Sequence, residues 1–399
     1  MYQPSKQVLD KYADLLINFA LNRGNGIKKG DVVLLQVPEC AKPLLVALRR
    51  AVLKAGGHSI IQYIPDGMQR EFYELANENQ LKFFPDKQLK GLVDQIDYRV
   101  AIISDDDPKE LMGINPTKIM ARNKSFKPYK EWQLKKENES KYTWVLALYG
   151  TPGMAKEANL SLEAYWQEII KACYLDKNNP VAEWRKIFKR NKEVMKKLND
   201  MKIIKVHVEA PNTDLHVGIG ENRVWASGSG MNIPSFEIFT SPNCKDINGH
   251  IQFTEPLYRE GNLIKNVYLR FEKGVVVEAK ASSGEKFLKE MIKVKNANRI
   301  GEFSMTDGRM SKITKFMAET LFDENVGGEQ GNMHMAIGDS FQECYRYNTK
   351  KMKKKSLEKF GFNSSVIHTD IVATSKRKIT ATLKNGTKRV IYENGKFLL

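Results

Sequence analysis

A chain of 399 residues with a 42% apolar fraction is long enough for two domains and apolar enough for ordinary cores, which excludes a disordered protein. Its net charge of +17 raises nucleic acid or an anionic surface as partners, but the lysines are spread along the chain, with one dense run at 350–355, and read most simply as a solvated surface. No apolar run approaches the roughly 18 residues that span a bilayer, the N-terminus lacks a signal-peptide core, and the four cysteines form no C-x-x-C pair, so a soluble, cytoplasmic protein with free thiols is expected.

Residues 6–23 carry Val8, Leu9, Tyr12, Leu15, Leu16 and Phe19 at helical spacing. Residues 31–37 read as a buried strand, 41–55 as a helix stopped by Gly56-Gly57, and 58–64 as the next strand. This is a βαβ unit, which builds parallel sheets. Two more buried strands, 98–104 and 143–148, make the first half α/β. The turn Pro38-Glu39-Cys40-Ala41 has no glycine-rich phosphate loop, and Gly24-x-Gly26 precedes a strand, which argues against a dinucleotide site. Helices are expected at 160–174 and 180–198, the second basic and on the surface. Near residue 200 the pattern changes. Strands at 203–210 and 213–219 are followed by hairpin signals at Gly220-Glu221-Asn222, Glu272-Lys273-Gly274, Lys384-Asn385-Gly386 and Glu393-Asn394-Gly395. The expected fold is an α/β domain with a mainly parallel sheet at 1–200, then a mainly antiparallel β domain at 201–399.

The second domain holds the residues with chemistry. In His368-Thr369-Asp370, residues i and i+2 of a strand share a face, so the pair can clamp a metal or hydrogen-bond each other. His334 lies between two methionines in an apolar run, where a buried ring needs partners for both nitrogens. Glu302 and Glu237 also sit among apolar neighbours, and a buried carboxylate is costly unless paired or bound to a metal. Two histidines and three carboxylates are the usual ligands of zinc, cobalt or manganese, and they suit a pair of divalent ions.

An ordered set of motifs resembles the thermophilic-type metalloaminopeptidases, the aminopeptidase T and aminopeptidase S group. The set runs Glu209-Ala210-Pro211-Asn212-Thr213-Asp214-Leu215-His216-Val217-Gly218, Asn232-Ile233-Pro234 through Glu237-Ile238-Phe239-Thr240-Ser241-Pro242, Gly301-Glu302, Thr320-Leu321-Phe322-Asp323-Glu324-Asn325, His334-Met335-Ala336-Ile337-Gly338 and Asn363 through His368-Thr369-Asp370. The match covers about 205–399 well, and the first half in pattern only. The resemblance implies two divalent metals on Glu237, Glu302, His334, His368 and Asp370, with Glu302 bridging. It implies peptide substrates, removal of N-terminal residues through a metal-bridging hydroxide, and a homodimer. Glu237 could shuttle a proton only if its hold on the metal is loose, and no general base is assigned. Asp323 or Glu324 could support the site from behind the ligands, but a helix-end or surface position is the expectation for both.

Two positions depart from the family pattern. The family's tyrosine seven residues after the first histidine is Phe341 here, with Tyr345 and Tyr347 nearby, and the stretch between Asn325 and His334 is longer. Phe341 motivates a rival, a metal-bound but catalytically impaired homologue that binds peptides. The net charge motivates another, a nucleic-acid-binding protein, against which the lysine run lacks interleaved aromatics.

Overall fold

The computed structural model describes residues 2–228, 230–259, 261–347, 352 and 354–399, the side chains of 354 and 355 excepted. Two compact units divide the chain: one spans Met1–Trp184 with Ser229–Ile233, the other Arg185–Gly228 with Pro234–Leu399.

The first unit is built on four parallel strands, β1 (Val32–Pro38), β2 (His58–Ile64), β3 (Tyr98–Ile103) and β4 (Thr143–Leu148), in the order β2-β1-β3-β4. The short strand Asn232–Ile233 adds to β4, also parallel. Central β1 buries Val33, Leu34 and Leu35 in succession, the continuous apolar run of a sheet covered on both faces. Edge strand β2 stays largely exposed. Between β1 and β2 the helix Lys42–Lys54 buries Leu44, Leu48 and Val52, and it stops where Gly56 takes a φ of +78°. The expected α/β architecture is borne out. The helix Pro180–Asp200 differs from its expected surface placement: its lysines face solvent, but Trp184, Ile187, Val194 and Leu198 are buried. Net basic composition hid an amphipathic stripe.

In the second unit the strands that matter are β5 (Ile203–Ala210), β6 (Thr213–Gly218), β7 (Glu237–Thr240), β8 (Ile247–Gln252), β9 (Ile300–Thr306), β10 (Asn332–Gly338), β11 (His368–Ala373) and β12 (Lys378–Leu383). One antiparallel sheet runs Val275–Lys280, Tyr268–Glu272, β8, β6, β5, β12, Lys388–Glu393 and Lys396–Phe397. A second, also antiparallel, runs β11-β10-β9-β7 and ends at Ala226–Ser227. A common core joins them: Val206, Val208, Leu215 and Val217 of the first sheet pack in one cluster with Phe303, Met305, Met333, Met335 and Ile371 of the second.

Three of the four hairpin signals close hairpins, with positive φ at Lys273-Gly274 and Asn394-Gly395 as type I′ turns require, and at Gly386. The fourth, Gly220-Glu221-Asn222, instead carries the chain from β6 to Ala226–Ser227 in the other sheet. The same residue types serve both, because a turn fixes local direction and not the partner strand. Among the described residues no helix is long and apolar enough to cross a membrane.

Candidate metal centre

Strand alternation explains the centre. On β9, Phe303 and Met305 enter the common core, so Glu302, Ser304 and Thr306 face the other way. On β10, Met333, Met335 and Ile337 enter the core, and His334 takes the opposite face. Register then lines the site up. Ser304 pairs with His334, Glu302 with Ala336, Ala336 with Asp370, Gly338 with His368, and Thr306 with Glu237. Four strands thus bring all five expected residues to one sheet face. A bulge between Ile300 and Glu302 sets this phase. Gly301 sits in it, where a Cβ would come within 1.9 Å of the Asp339 carbonyl oxygen.

Two groups form, sharing one residue. Glu237, Glu302 and His334 offer ligand atoms within 4.8 Å of one another, and so do Glu302, His368 and Asp370. His334 Nε2 lies 3.2 Å from Glu237 Oε2, 3.6 Å from Glu302 Oε1 and 4.0 Å from Asp370 Oδ1. His368 Nε2 lies 3.1 Å from Glu302 Oε2 and 3.6 Å from Asp370 Oδ1. His368 Nδ1 faces the Asp339 carbonyl oxygen at 3.0 Å, a bond that places the proton on Nδ1 and leaves Nε2 for the site. Its ring is 27% exposed while His334 is 1% exposed, so the centre opens on the His368 side.

Ionisable groups are crowded together at this buried centre. Burial works against charge on His334, but Glu237 and Glu302 hold it well above the usual histidine value. Burial likewise opposes charge on His368, and Asp370 and Glu302 push it up to about 10. Burial would raise Glu302, yet the two imidazoles hold it at about 2. Glu237 is raised, first by burial and then by Glu302 and Asp370 against the pull of His334. Three buried carboxylates therefore crowd two rings, and Asp370 Oδ1 and His334 Nδ1 are buried without a hydrogen-bond partner. This donor set fits divalent metal, which meets unpaired oxygen and nitrogen at once.

Several neighbours escaped the sequence reading. Ser304 Oγ donates to Glu237 Oε2 at 3.2 Å and Ser235 Oγ to Oε1 at 3.5 Å. Ser304 was findable, since it stands two residues from Glu302 and shares its face. Asn325 ties the loop before β7 to the turn at 320–325: its Oδ1 accepts from Phe236 N at 2.7 Å, and its Nδ2 donates to Leu321 O. Glu324 caps the end of the helix Thr320–Asp323, as one of its two expected placements had it, but it is not on the surface. It is buried, hydrogen-bonds Asn325 Nδ2, and is pushed well above the usual glutamate value by burial and by the charges of Asp370 and Glu237. Asp323 is buried too and accepts from the amides of Met317 and Glu319, a helix-end role.

Glu319, which opens that turn, has a buried carboxyl whose Oε2 has no hydrogen-bond partner. Burial raises it to about 7 despite the amides of Leu321, Phe322 and Thr320. A raised acid is most stabilising to the fold below its unfolded pKa, and the cost of its charge grows as pH rises through about 7. Glu319→Gln is expected to match wild type near pH 4.5 and to exceed it by roughly 2 kcal/mol at pH 8. Denaturant titration at both pH values checks this, and a variant no more stable at pH 8 refutes it.

Phe341 is 38% exposed, with its ring 4.8 Å from that of His368 and 5.5 Å from that of Phe239, at the open side of the centre. Tyr345 packs instead with Leu357 and Phe362. The lysine run at 350–355 falls outside the residues whose side chains are described. A cleft of about 520 Å³ between Val275–Lys280 and Glu285–Lys293 shares no residue with the centre.

The family model for thermophilic metalloprotease (M29) matches residues 5–397. Similar proteins include aminopeptidase AmpS of Bacillus subtilis, 27% identical over 418 residues and 98% of each chain, and aminopeptidase T of Thermus thermophilus, 26% identical over 417 residues and 99% of each. The solved structure of wild-type AmpT from Thermus thermophilus matches with a TM-score of 0.84 at 25% identity, over 99% of this chain and 100% of that one.

Proposed function

The chain belongs to the thermophilic metalloprotease (M29) family, and we propose that it is a dinuclear-metal aminopeptidase that hydrolyses the first peptide bond of peptides. The observation that carries this reading is the convergence of five ligand-type side chains into two groups sharing Glu302, in a chain similar to aminopeptidases along its whole length. Glu237, Glu302 and His334 would hold one ion, and Glu302, His368 and Asp370 the other. Their mixed oxygen and nitrogen donors suit zinc, cobalt or manganese. Bound there, such ions supply Lewis acidity, which lowers the pKa of water and polarises a peptide carbonyl.

The chain's own residues do the rest. Glu302 presents one oxygen to each histidine and so fixes the spacing of the two halves. Asp339 holds His368 in the tautomer that keeps Nε2 free. Proton transfer to the leaving amine needs a carboxyl that is not tied up. Glu237 could serve only if loosely held, but both its oxygens are engaged by Ser235, Ser304 and His334. Glu324, beside them and bonded to Asn325, takes this role in our reading. The same reading makes the protein a cytoplasmic homodimer whose catalytic part spans about residues 201–399. Its four free cysteines fit a reducing compartment.

The test is release of N-terminal residues from peptides and aminoacyl amides with zinc, cobalt or manganese added. Cleavage that needs a free α-amine and stops when the amine is acetylated supports the reading. Absence of turnover with both ions bound overturns it and favours the peptide-binding homologue. Phe341 makes that rival specific, since its ring stands beside His368 without a hydroxyl. Phe341→Tyr supplies a donor there and is expected to raise kcat about tenfold with little change in KM, as an added transition-state donor does. Steady-state kinetics check this, and an unchanged kcat means the hydroxyl has no role at this site.

A further inference from the structure

The outer face of the eight-stranded sheet carries a second cluster, away from the catalytic candidate. Val206, Val208, Leu215 and Val217 of β5 and β6 fill the common core, so His207, Glu209, Asp214 and His216 point to the other side, toward solvent. A two-residue turn, Pro211-Asn212 with Asn212 at φ +53°, fixes the register that sets His207 opposite His216 and Glu209 opposite Asp214. On the next strand, β8, His250 pairs with Asp214. Three of the chain's six histidines thus surround one aspartate on neighbouring strands.

We propose that His207, Asp214 and His216 form a surface site for a divalent transition metal of the zinc class, separate from the catalytic pair. Ligand atoms of these three residues lie within 4.8 Å of one another. His207 Nε2 is 2.7 Å and His216 Nε2 is 3.9 Å from the same oxygen, Asp214 Oδ1. Ligands on a tetrahedral zinc with bonds of about 2.0–2.1 Å stand about 3.4 Å apart. The observed distances bracket that value, and small rotations of exposed side chains close the difference. The two imidazoles are stacked, 4.1 Å between centroids and 15° between planes, so both present an edge to Asp214. A hydrogen bond satisfies only the nearer ring, whereas an ion takes both. Glu209 Oε2, 3.9 Å from His207 Nδ1 and paired with Lys378, orients the outer side of that ring. Two imidazoles and one carboxylate leave a fourth position for water or for His250. Lys205 and Lys388 repel positive charge near His216, which sets the affinity below that of a closed structural site. An ion there ties β5 to β6 and stabilises the sheet edge-to-edge.

The experiment is a calorimetric zinc titration of the metal-loaded enzyme, with metal per chain counted by mass spectrometry. Wild type is expected to bind one further equivalent. His216→Ala at an exposed position and His207→Gln at a partly exposed one are each expected to weaken it by about tenfold or more, with kcat/KM and circular dichroism unchanged. Glu302→Gln is expected to keep the further equivalent, which separates this site from the catalytic one. Absence of a further equivalent in wild type, or an undiminished one in both histidine variants, overturns the proposal.

Discussion

Glu302→Gln is expected to lose peptide hydrolysis by on the order of 10³-fold while the fold survives. The substitution keeps size and shape. It replaces an oxygen facing His334 Nε2 at 3.6 Å or His368 Nε2 at 3.1 Å by an amide N–H₂, which accepts nothing and coordinates nothing. Glu302 alone belongs to both ligand groups, so both halves of the centre lose a donor at once. Metal held at the centre, counted apart from the surface site, should fall from two ions toward one or none, measured alongside the rate of amino-acid release. His368→Ala should lower the same count by one while leaving the first group intact. Glu324→Gln separates proton transfer from metal binding, with kcat reduced and both ions retained. A Glu302→Gln protein with two ions at the centre and more than a tenth of wild-type activity would sink the dinuclear reading.

Stripping the metal is expected to abolish activity completely and to lower the unfolding temperature by on the order of 5 °C. The metal-free centre keeps three carboxylates within reach of two rings, with Asp370 Oδ1 unpartnered and Glu324 close by. Those buried carboxylates and rings leave Asp370 Oδ1 and His334 Nδ1 unmet, so a cation bound there would stabilise the folded state as well as serve the reaction. Zinc, cobalt or manganese should restore both properties, and calcium should restore neither, because two of the five ligands are imidazoles. Differential scanning calorimetry before and after dialysis against chelator checks this. An unchanged transition, with activity surviving the chelator, contradicts it.

Much of the fold was legible because buried parallel strands and turn-bounded antiparallel strands have different sequence patterns. The family resemblance was borne out as well, and over residues 5–397, including the half that matched only in pattern. The centre was legible piecemeal. Alternation already put His368 and Asp370 on one face, and Met333 and Met335 into the core beside His334. What no window of sequence contains is the pairing of β7 with β9 and of β10 with β11, which joins residues far apart in the chain. Nor does it contain the bulge at Gly301 that sets the phase of Glu302. Glu324 stands at the expected helix end, but its burial was missed for a related reason. The helix Thr320–Asp323 is a single turn, too short for periodicity to say which side is buried. The turn at Gly220-Glu221-Asn222 was misjudged because turn chemistry does not encode a change of sheet.

The alternation that builds the centre also decides how it can drift. Every strand carrying a ligand shows its reverse side to the common core, so the backbone beneath His334 rests on Met333 and Met335, and that beneath Asp370 on Ile371. Moving a ligand by a few tenths of an ångström does not require touching any ligand. Exchanging a methionine for a leucine or isoleucine behind it does so, at a cost the fold tolerates. A lineage adapting this enzyme to a scarcer metal or a warmer habitat would find its adjustable screws on the dry side of the sheet.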